Sequence, residues 1–482
     1  MQQRRLDGRS LTIGGLVDIA SGRCTVEVDP AALGRVEKRH ARLREARAHG
    51  AVYGANTGVG ANRLESSVDD AFHGLRLLRS HCAAVGPVED DVTARAAMAT
   101  RLNQILAGGS GVSRAVAVTL AEALIRGAVP TMHSWGAIGT GDLAALAELG
   151  LTLAGERPWR SGSAPAVAIG PTDALPMISS SAVTVATAAL ALHSVQSQLR
   201  ASVVVAALSF LALRGNPEAY DPHVHSARAH PGQGEVAALL SRLVAGNGAP
   251  ARIQDPFGLR VLPQVTAPAV HAARSLHDVV TAELNAAAEN PLVTPEGVRH
   301  HGQFHTATLA STVDAVRGAF LPVLSLSTAR LGLLMRPDLT GLRAFLAAGP
   351  AGSSGLMISE YVVHDLLTEI RVGMTPTAAG TLSISLGLEE HASFATQGAR
   401  SLRTMTALAP TLLAAELVAA VRALRMAPGR LTEGPARQAF DMAAQVLDPD
   451  ESDRSLGDDL ARAAELLPKL GTVLDGSAID LS

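Results

Sequence analysis

With 482 residues, 47% apolar but only 3% aromatic, the chain must build its core from Ala, Leu and Val, which favours helices over aromatic-rich strands. A net charge of −3 with no long basic run argues against nucleic acid as a partner. Two cysteines, Cys24 and Cys82, exclude a disulfide framework and suit a reducing cytoplasm, and the polar stretch 1–10 offers no export signal.

In chain order, short strands are expected at 11–13 and 25–28, then a charged helix over 30–49. The stretch Val52-Tyr53-Gly54-Ala55-Asn56-Thr57-Gly58-Val59-Gly60 reads as a glycine-broken loop. Helices follow over 69–84, 89–106 and 112–127. The stretch 133–144 carries Gly136, Gly139 and Gly141 in tight backbone, with Asp142 placed to N-cap a helix over 143–153. Its glycine spacing fits neither a Walker nor a dinucleotide loop. After an irregular 158–176, helices are expected over 177–213, 233–245, 265–288, 306–335, 355–371, 387–424, 434–446 and 456–469. Loops separate them at 214–234, 247–263 and 290–305. The most apolar part, 182–192 and 201–213, is split by His193, Gln196, Gln198 and Arg200 into runs shorter than the ~20 residues a bilayer span needs, so buried helices and no membrane are expected. Division falls at 200: an N-terminal domain (1–200) carries both loops, and 201–482 forms a helical bundle. Long apolar helices call for oligomerisation.

Singly, the polar candidates are ambiguous. A loop tyrosine such as Tyr53 is more often a packing residue than a base. His81, beside Ser80, fits a hydrogen-bonded core histidine. Arg260 either clamps a carboxylate or pairs with Asp255. Glu389-Glu390-His391 reads by default as a solvated helix face. His223, His225 and His230 lack the thiolates of a firm metal site, and no metal is expected.

Together they resemble the histidine and aromatic amino acid ammonia-lyases. The Tyr53–Gly60 loop is similar to that family's Tyr-Gly-Val-Asn-Thr-Gly-Phe-Gly, and 254–260 (Gln254, Asp255, Pro256, Phe257, Gly258, Leu259, Arg260) to its Gln-Asp-Pro-Tyr-Ser-Leu-Arg. Glu289-Asn290-Pro291-Leu292, Gly302-Gln303-Phe304-His305, Ser353-Ser354-Gly355-Leu356-Met357 and Glu389-Glu390-His391 resemble further family motifs in order. The resemblance implies a mainly α fold, an ammonia-lyase-like long helical bundle with a mixed N-terminal part. It implies a homotetramer acting on a small molecule, with Tyr53 as base and Arg260 and Gln254 at the substrate. Ser80-His81 and Glu389 match the histidine enzymes and suit a polar ring.

In the family an Ala-Ser-Gly triad closes into the electrophile 4-methylideneimidazol-5-one (MIO). Here the triad is Gly139-Thr140-Gly141, followed by Asp142. Dehydrating a threonine leaves a methyl on the carbon that accepts the amine. Phe257 stands for the tyrosine that assists the ring and Ser179 for the asparagine that bonds it, while Gln303 and Ser353 also replace asparagines. The expectation is an MIO-independent enzyme without a cofactor. Its reaction would be elimination, addition, isomerisation or cyclisation of a small polar carboxylate. The alternatives are a histidine-type ammonia-lyase or aminomutase with an MIO-like group from Thr140, and a non-catalytic binding homologue.

Overall fold

The computed structural model describes residues 2–67, 72–246, 248–431 and 433–475. The expected helix start at Asp69 and the loop start at Asn247 lie outside them. The chain forms two compact units, each discontinuous in sequence. One comprises Met1–Ala191, Leu276–Asp314 and Pro376–Arg403, the other Leu192–Ser275, Ala315–Thr375 and Thr404–Ser482.

Among the described residues, the four two-stranded sheets all belong to the first unit. Gln2–Leu6 pairs in parallel with Cys24–Val28, and Val85–Val88 antiparallel with His133–Trp135. Val129–Pro130 meets Trp159–Ser161, and Leu292–Thr294 meets Gly297–Arg299. The strand expected at 11–13 is instead the start of helix Ile13–Ala20: the Thr12 side chain accepts from the Gly15 N–H, and this cap decides the local conformation. Helix Pro30–His49 forms as expected because Asp29 caps it and Pro30 occupies its first turn. Helix Asp91–Ala107 is buried nearly all round, and its Arg101 pairs with Glu289 at 2.8 Å with neither side chain exposed beyond 1%.

Helix Ala182–Ala212 is continuous through the polar residues expected to split it. Among the described residues, three helices are long and apolar enough to cross a membrane by length and composition: 174–212, 307–334 and 395–426. The most apolar windows of the first and third are 94% and 78% buried within the fold, but that of the second only 44%. The second unit centres on an ion pair, Arg330 with Glu416, and on Tyr220, whose hydroxyl donates to the Leu259 carbonyl at 2.7 Å.

Helix Ala395–Met426 begins eight residues later than the sequence suggests. The segment before it is a tight turn, closed by a bridge between Ile384 and Glu389, with Ser385, Leu386 and Phe394 at positive φ. Glu389 therefore sits on a turn, and not on the solvated helix face expected by default.

Candidate active site

The Tyr53 loop is knitted by its own side chains. The Asn56 amide donates to the carbonyls of Arg47 and Gly50 and accepts from the Val52 N–H. The Thr57 hydroxyl accepts from the Gly54 N–H and donates to the Gly58 carbonyl. Gly54 has φ +69° and faces Leu175 closely enough that a Cβ would overlap that side chain, so glycine is obligatory there. The result holds the Tyr53 hydroxyl 2.7 Å from the Gly60 N–H, which donates to it. Burial, reinforced by Glu389, raises the Tyr53 phenol above its usual range, while the Gly60 N–H and Arg63 pull it back.

A cavity of about 800 Å³ opens onto this hydroxyl. Of the residues singled out from sequence, Tyr53, His81, Thr140, Ser179, Phe304 and Glu389 line it. His81 keeps Nδ1 on the Leu77 carbonyl at 2.9 Å; a carbonyl only accepts, so Nδ1 carries the proton and Nε2 is the acceptor in the neutral ring. Ser80 is exposed and bonds back to the Leu77 carbonyl, outside the lining. Gln303 borders a separate small void beside Glu289. Motif reading missed Asn62, Arg63, His300, His301, Ser385 and Leu388, all of which line the cavity. Their signal in the sequence is adjacency: each pair stands beside a segment already singled out.

Gln254, Phe257 and Arg260 belong to the second unit. Arg260 stacks over the Phe257 ring at 4.6 Å, and Asp255 is taken by Arg252 at 2.9 Å, so the Asp255–Arg260 pairing weighed from sequence does not form. His225 is occupied by the Ala219 carbonyl and Gln233, and His223 by Asp221.

The triad's backbone is confined. Gly139 has φ +84° and Gly141 φ +112°. The Gly139 carbonyl accepts from the Thr306 and Ser393 hydroxyls at 2.8 and 2.9 Å and from the Thr306 N–H at 3.4 Å. A Cβ on Gly139 would overlap the Ser393 hydroxyl and press on the Phe394 and Ala395 nitrogens at 2.9 and 2.8 Å. An alanine at the head of the triad thus has no place here. We expect Gly139→Ala to lower the thermal midpoint by the equivalent of about 1–3 kcal/mol; an unchanged melting curve would contradict this packing. With a methyl on the Thr140 β-carbon and no room for an alanine Cβ at Gly139, these residues do not fit the ring made from Ala-Ser-Gly.

Asp142 stands at the expected N-cap position but makes no cap bond to its own helix. Its carboxylate accepts from the Thr184 N–H at 2.8 Å and the Thr184 hydroxyl at 2.7 Å, serving helix Ala182–Ala212. Burial raises it to about 6, with Thr184 opposing. An aspartate raised from about 3.9 binds its proton more tightly folded than unfolded, so its contribution is complete below about pH 4 and lost as pH climbs through about 6. Asp142→Asn should therefore gain on the wild type by up to about 3 kcal/mol between about pH 4 and 7. Paired melting curves across that window check this, and a constant gap contradicts it.

Long apolar helices, together with a cavity of about 800 Å³ in the first unit lined from the Tyr53 loop, the triad and the 385–389 turn, mark a mainly helical scaffold with a ligand-sized pocket. Residues 11–445 match the family of aromatic amino acid lyases. The chain is 30% identical over 492 residues to a histidine ammonia-lyase of Alkaliphilus metalliredigens, covering 97% of each chain. The histidine ammonia-lyase structure from Trypanosoma cruzi superposes with a TM-score of 0.89 at 28% identity, covering 98% of this chain and 94% of that one. The ergothioneine-degrading ergothionase of Treponema denticola gives 0.90 at 24% identity, over 98% and 100%. The chain belongs to the histidine and aromatic amino acid ammonia-lyase family, a family of carbon–nitrogen lyases.

Proposed function

We propose that this protein is an MIO-independent acid–base enzyme on the histidine ammonia-lyase scaffold, acting on a small carboxylate or amino-acid-like substrate with a polar ring. The observation that carries the reading is the triad loop, where Thr140 puts a methyl on the carbon that would have to accept an amine and the Gly139 carbonyl is held by the Thr306 and Ser393 hydroxyls, set beside a cavity that still gathers Tyr53, His81 and Glu389. Tyr53 takes a proton from the carbon next to an activated position, and the Gly60 N–H steadies the phenolate. His81 Nε2 and Glu389 hold the polar ring from two sides. Proton transfer contributes about 10²–10⁴-fold, enough for a substrate with a good leaving group or an acidic C–H but not for expelling ammonia from an unactivated amino acid. Elimination, addition, isomerisation or cyclisation of an activated substrate follows.

Intact mass tests the reading. The full-length chain should weigh what its sequence demands; a mass short by two waters overturns it. The second reading is a histidine-type ammonia-lyase or aminomutase with an MIO-like group from Thr140, favoured by the names of the relatives and by His81 and Glu389. Brisk urocanate formation from histidine, together with the missing waters, would establish it. If no substrate is turned over and Tyr53→Phe changes nothing, a binding role gains. A cytoplasmic homotetramer is part of the proposal. It is supported by helix Ala307–Leu334, whose apolar window is less than half buried.

A further inference from the structure

A base that removes a proton from carbon leaves negative charge behind, and that charge needs a hydrogen-bond donor. Three imidazoles line the cavity, His81, His300 and His301, and their hydrogen bonds set them apart. His81 spends its one N–H on the Leu77 carbonyl, so its neutral ring offers the cavity only a lone pair. His301 is engaged at both nitrogens. Its Nδ1 accepts from the Gln303 N–H at 2.9 Å, so Nε2 carries the proton and donates to the Glu289 carbonyl at 2.8 Å. His300 differs from both. Its Nε2 accepts from the Tyr53 backbone N–H at 3.3 Å, which puts the proton of the neutral ring on Nδ1. Among the described residues that Nδ1 has no hydrogen bond.

The ring is also held neutral and in place. Partial burial, with His301 beside it, pushes the His300 pKa below the usual imidazole range, and a proton on Nε2 would set two N–H groups against each other. His300 follows directly on the hairpin of Leu292–Thr294 with Gly297–Arg299, which the Val293 N–H ties to the Gly109 carbonyl at 2.8 Å. Val293 shares one apolar cluster with Leu43, Val52 and Ala55, and Val298 packs against it. Val52 and Ala55 stand on either side of Tyr53 in the chain. One small core therefore carries both the base and the imidazole, and a hydrogen bond joins them.

We propose that His300 is a catalytic residue, a neutral imidazole that donates from Nδ1 to the oxygen on which charge gathers as Tyr53 takes the substrate's proton. In that step the C–H bond breaks and the Tyr53 O–H bond forms. The released pair makes a carbon–carbon double bond, and the π pair of the adjacent carbonyl moves onto its oxygen, giving an enolate. His300 keeps its proton throughout, and its fixed N–H dipole needs no reorganisation as the charge develops. The substrate class narrows accordingly to a C–H acid conjugated to a carbonyl or a comparable oxygen acceptor, with its polar ring at Glu389 and His81. The oxygen concerned belongs to the activating group and not to the substrate's carboxylate. The proposal rests on reading the cavity as the substrate pocket with Tyr53 as its base.

Two substitutions in the full-length protein separate this role from a merely structural one. An asparagine amide nitrogen stands where Nδ1 stood, whereas a glutamine amide oxygen replaces Nε2 as acceptor for the Tyr53 N–H. On any substrate the wild type turns over, His300→Gln should lower kcat by about 10²–10³ with KM little changed, and His300→Asn should recover about tenfold or more of the loss. A residue that only holds the Tyr53 backbone gives the opposite order. A binding probe needs no turnover: 4-(2-nitroethyl)imidazole, whose nitronate carries its charge on oxygen beside a polar ring, titrated calorimetrically in mildly alkaline buffer against 4-ethylimidazole. The wild type should prefer the nitronate roughly tenfold to a hundredfold; His300→Asn should keep most of that preference and His300→Gln should lose it. A wild type without the preference, or an His300→Gln protein that equals or exceeds His300→Asn in either measurement, overturns the proposal. Should Tyr53→Phe remain inactive in that event, the base assignment stands and His300 alone fails; an active Tyr53→Phe removes the underlying reading.

Discussion

Tyr53→Phe is expected to lower turnover by about 10²–10⁴ while leaving the fold intact. The substitution removes a single oxygen, whose one recorded bond is accepted from the Gly60 N–H. That N–H faces the cavity side of the loop, where water can replace the lost acceptor, so little stability is at stake. Loop shape depends on Asn56, Thr57 and Gly54, none of which touches the phenol oxygen. A packing tyrosine would behave differently, since losing its hydroxyl would leave catalysis nearly unchanged. The pH dependence adds a second check with a definite sign. Because burial and Glu389 hold the phenol above its usual range, the fraction of phenolate rises with pH through the neutral and mildly alkaline range, and wild-type kcat/KM should rise with it. Stopped assays on any substrate the wild type turns over, with circular dichroism as the control for folding, decide the matter. Activity within about threefold of wild type would remove Tyr53 from the chemistry.

Some of this was legible in the residues and some was not, for physical reasons. Helix Leu143–Leu153 is where the spacing of Leu143, Leu146 and Leu149 puts it, because leucines at helical period next to a glycine turn are enough to place a helix, here one buried all round from Ala144 onward. The sense of Ile13 was lost because a run of three strand-formers is too short to outweigh a threonine cap. The turn at 384–389 was lost because Ser385 and Leu386 take a left-handed backbone that their types do not announce. Within the site, Tyr53, His81 and Glu389 stood out because each lies in a motif. Arg63 and the pair His300–His301 lie just outside motifs and reach the cavity through tight chain reversals, the Gly60–Asn62 turn and the hairpin Leu292–Arg299, that no motif marks. Asp142 shows the same limit: its position as a helix start was readable, whereas its actual service to Thr184, 42 residues on, was not.

The largest effect expected on stability lies in the second unit, at Glu416. Its carboxylate accepts from Arg330 Nε at 2.6 Å and Nη2 at 2.9 Å, and from the Ser209 and Ser327 hydroxyls at 2.6 Å each. Neither side chain of the ion pair is exposed at all. Two charges taken fully out of water are tolerable only while each compensates the other, so removing one leaves a guanidinium stranded in apolar surroundings. Arg330 also donates to the Gly258 carbonyl at 3.2 Å, which cannot neutralise it. Glu416→Ala should therefore destabilise by about 3–5 kcal/mol, and the loss should be indifferent to salt because no ions reach the pair. Replacing both partners with apolar residues of similar size, as in Arg330→Met with Glu416→Leu, removes the stranded charge and should recover most of the loss, although Ser209 and Ser327 then lack their acceptor. Denaturant midpoints of Arg330→Met, of Glu416→Leu and of the double variant measure this as a cycle. Single losses below about 1 kcal/mol, or a double variant as weak as the sum of the singles, would show that the pair is not closed off from solvent.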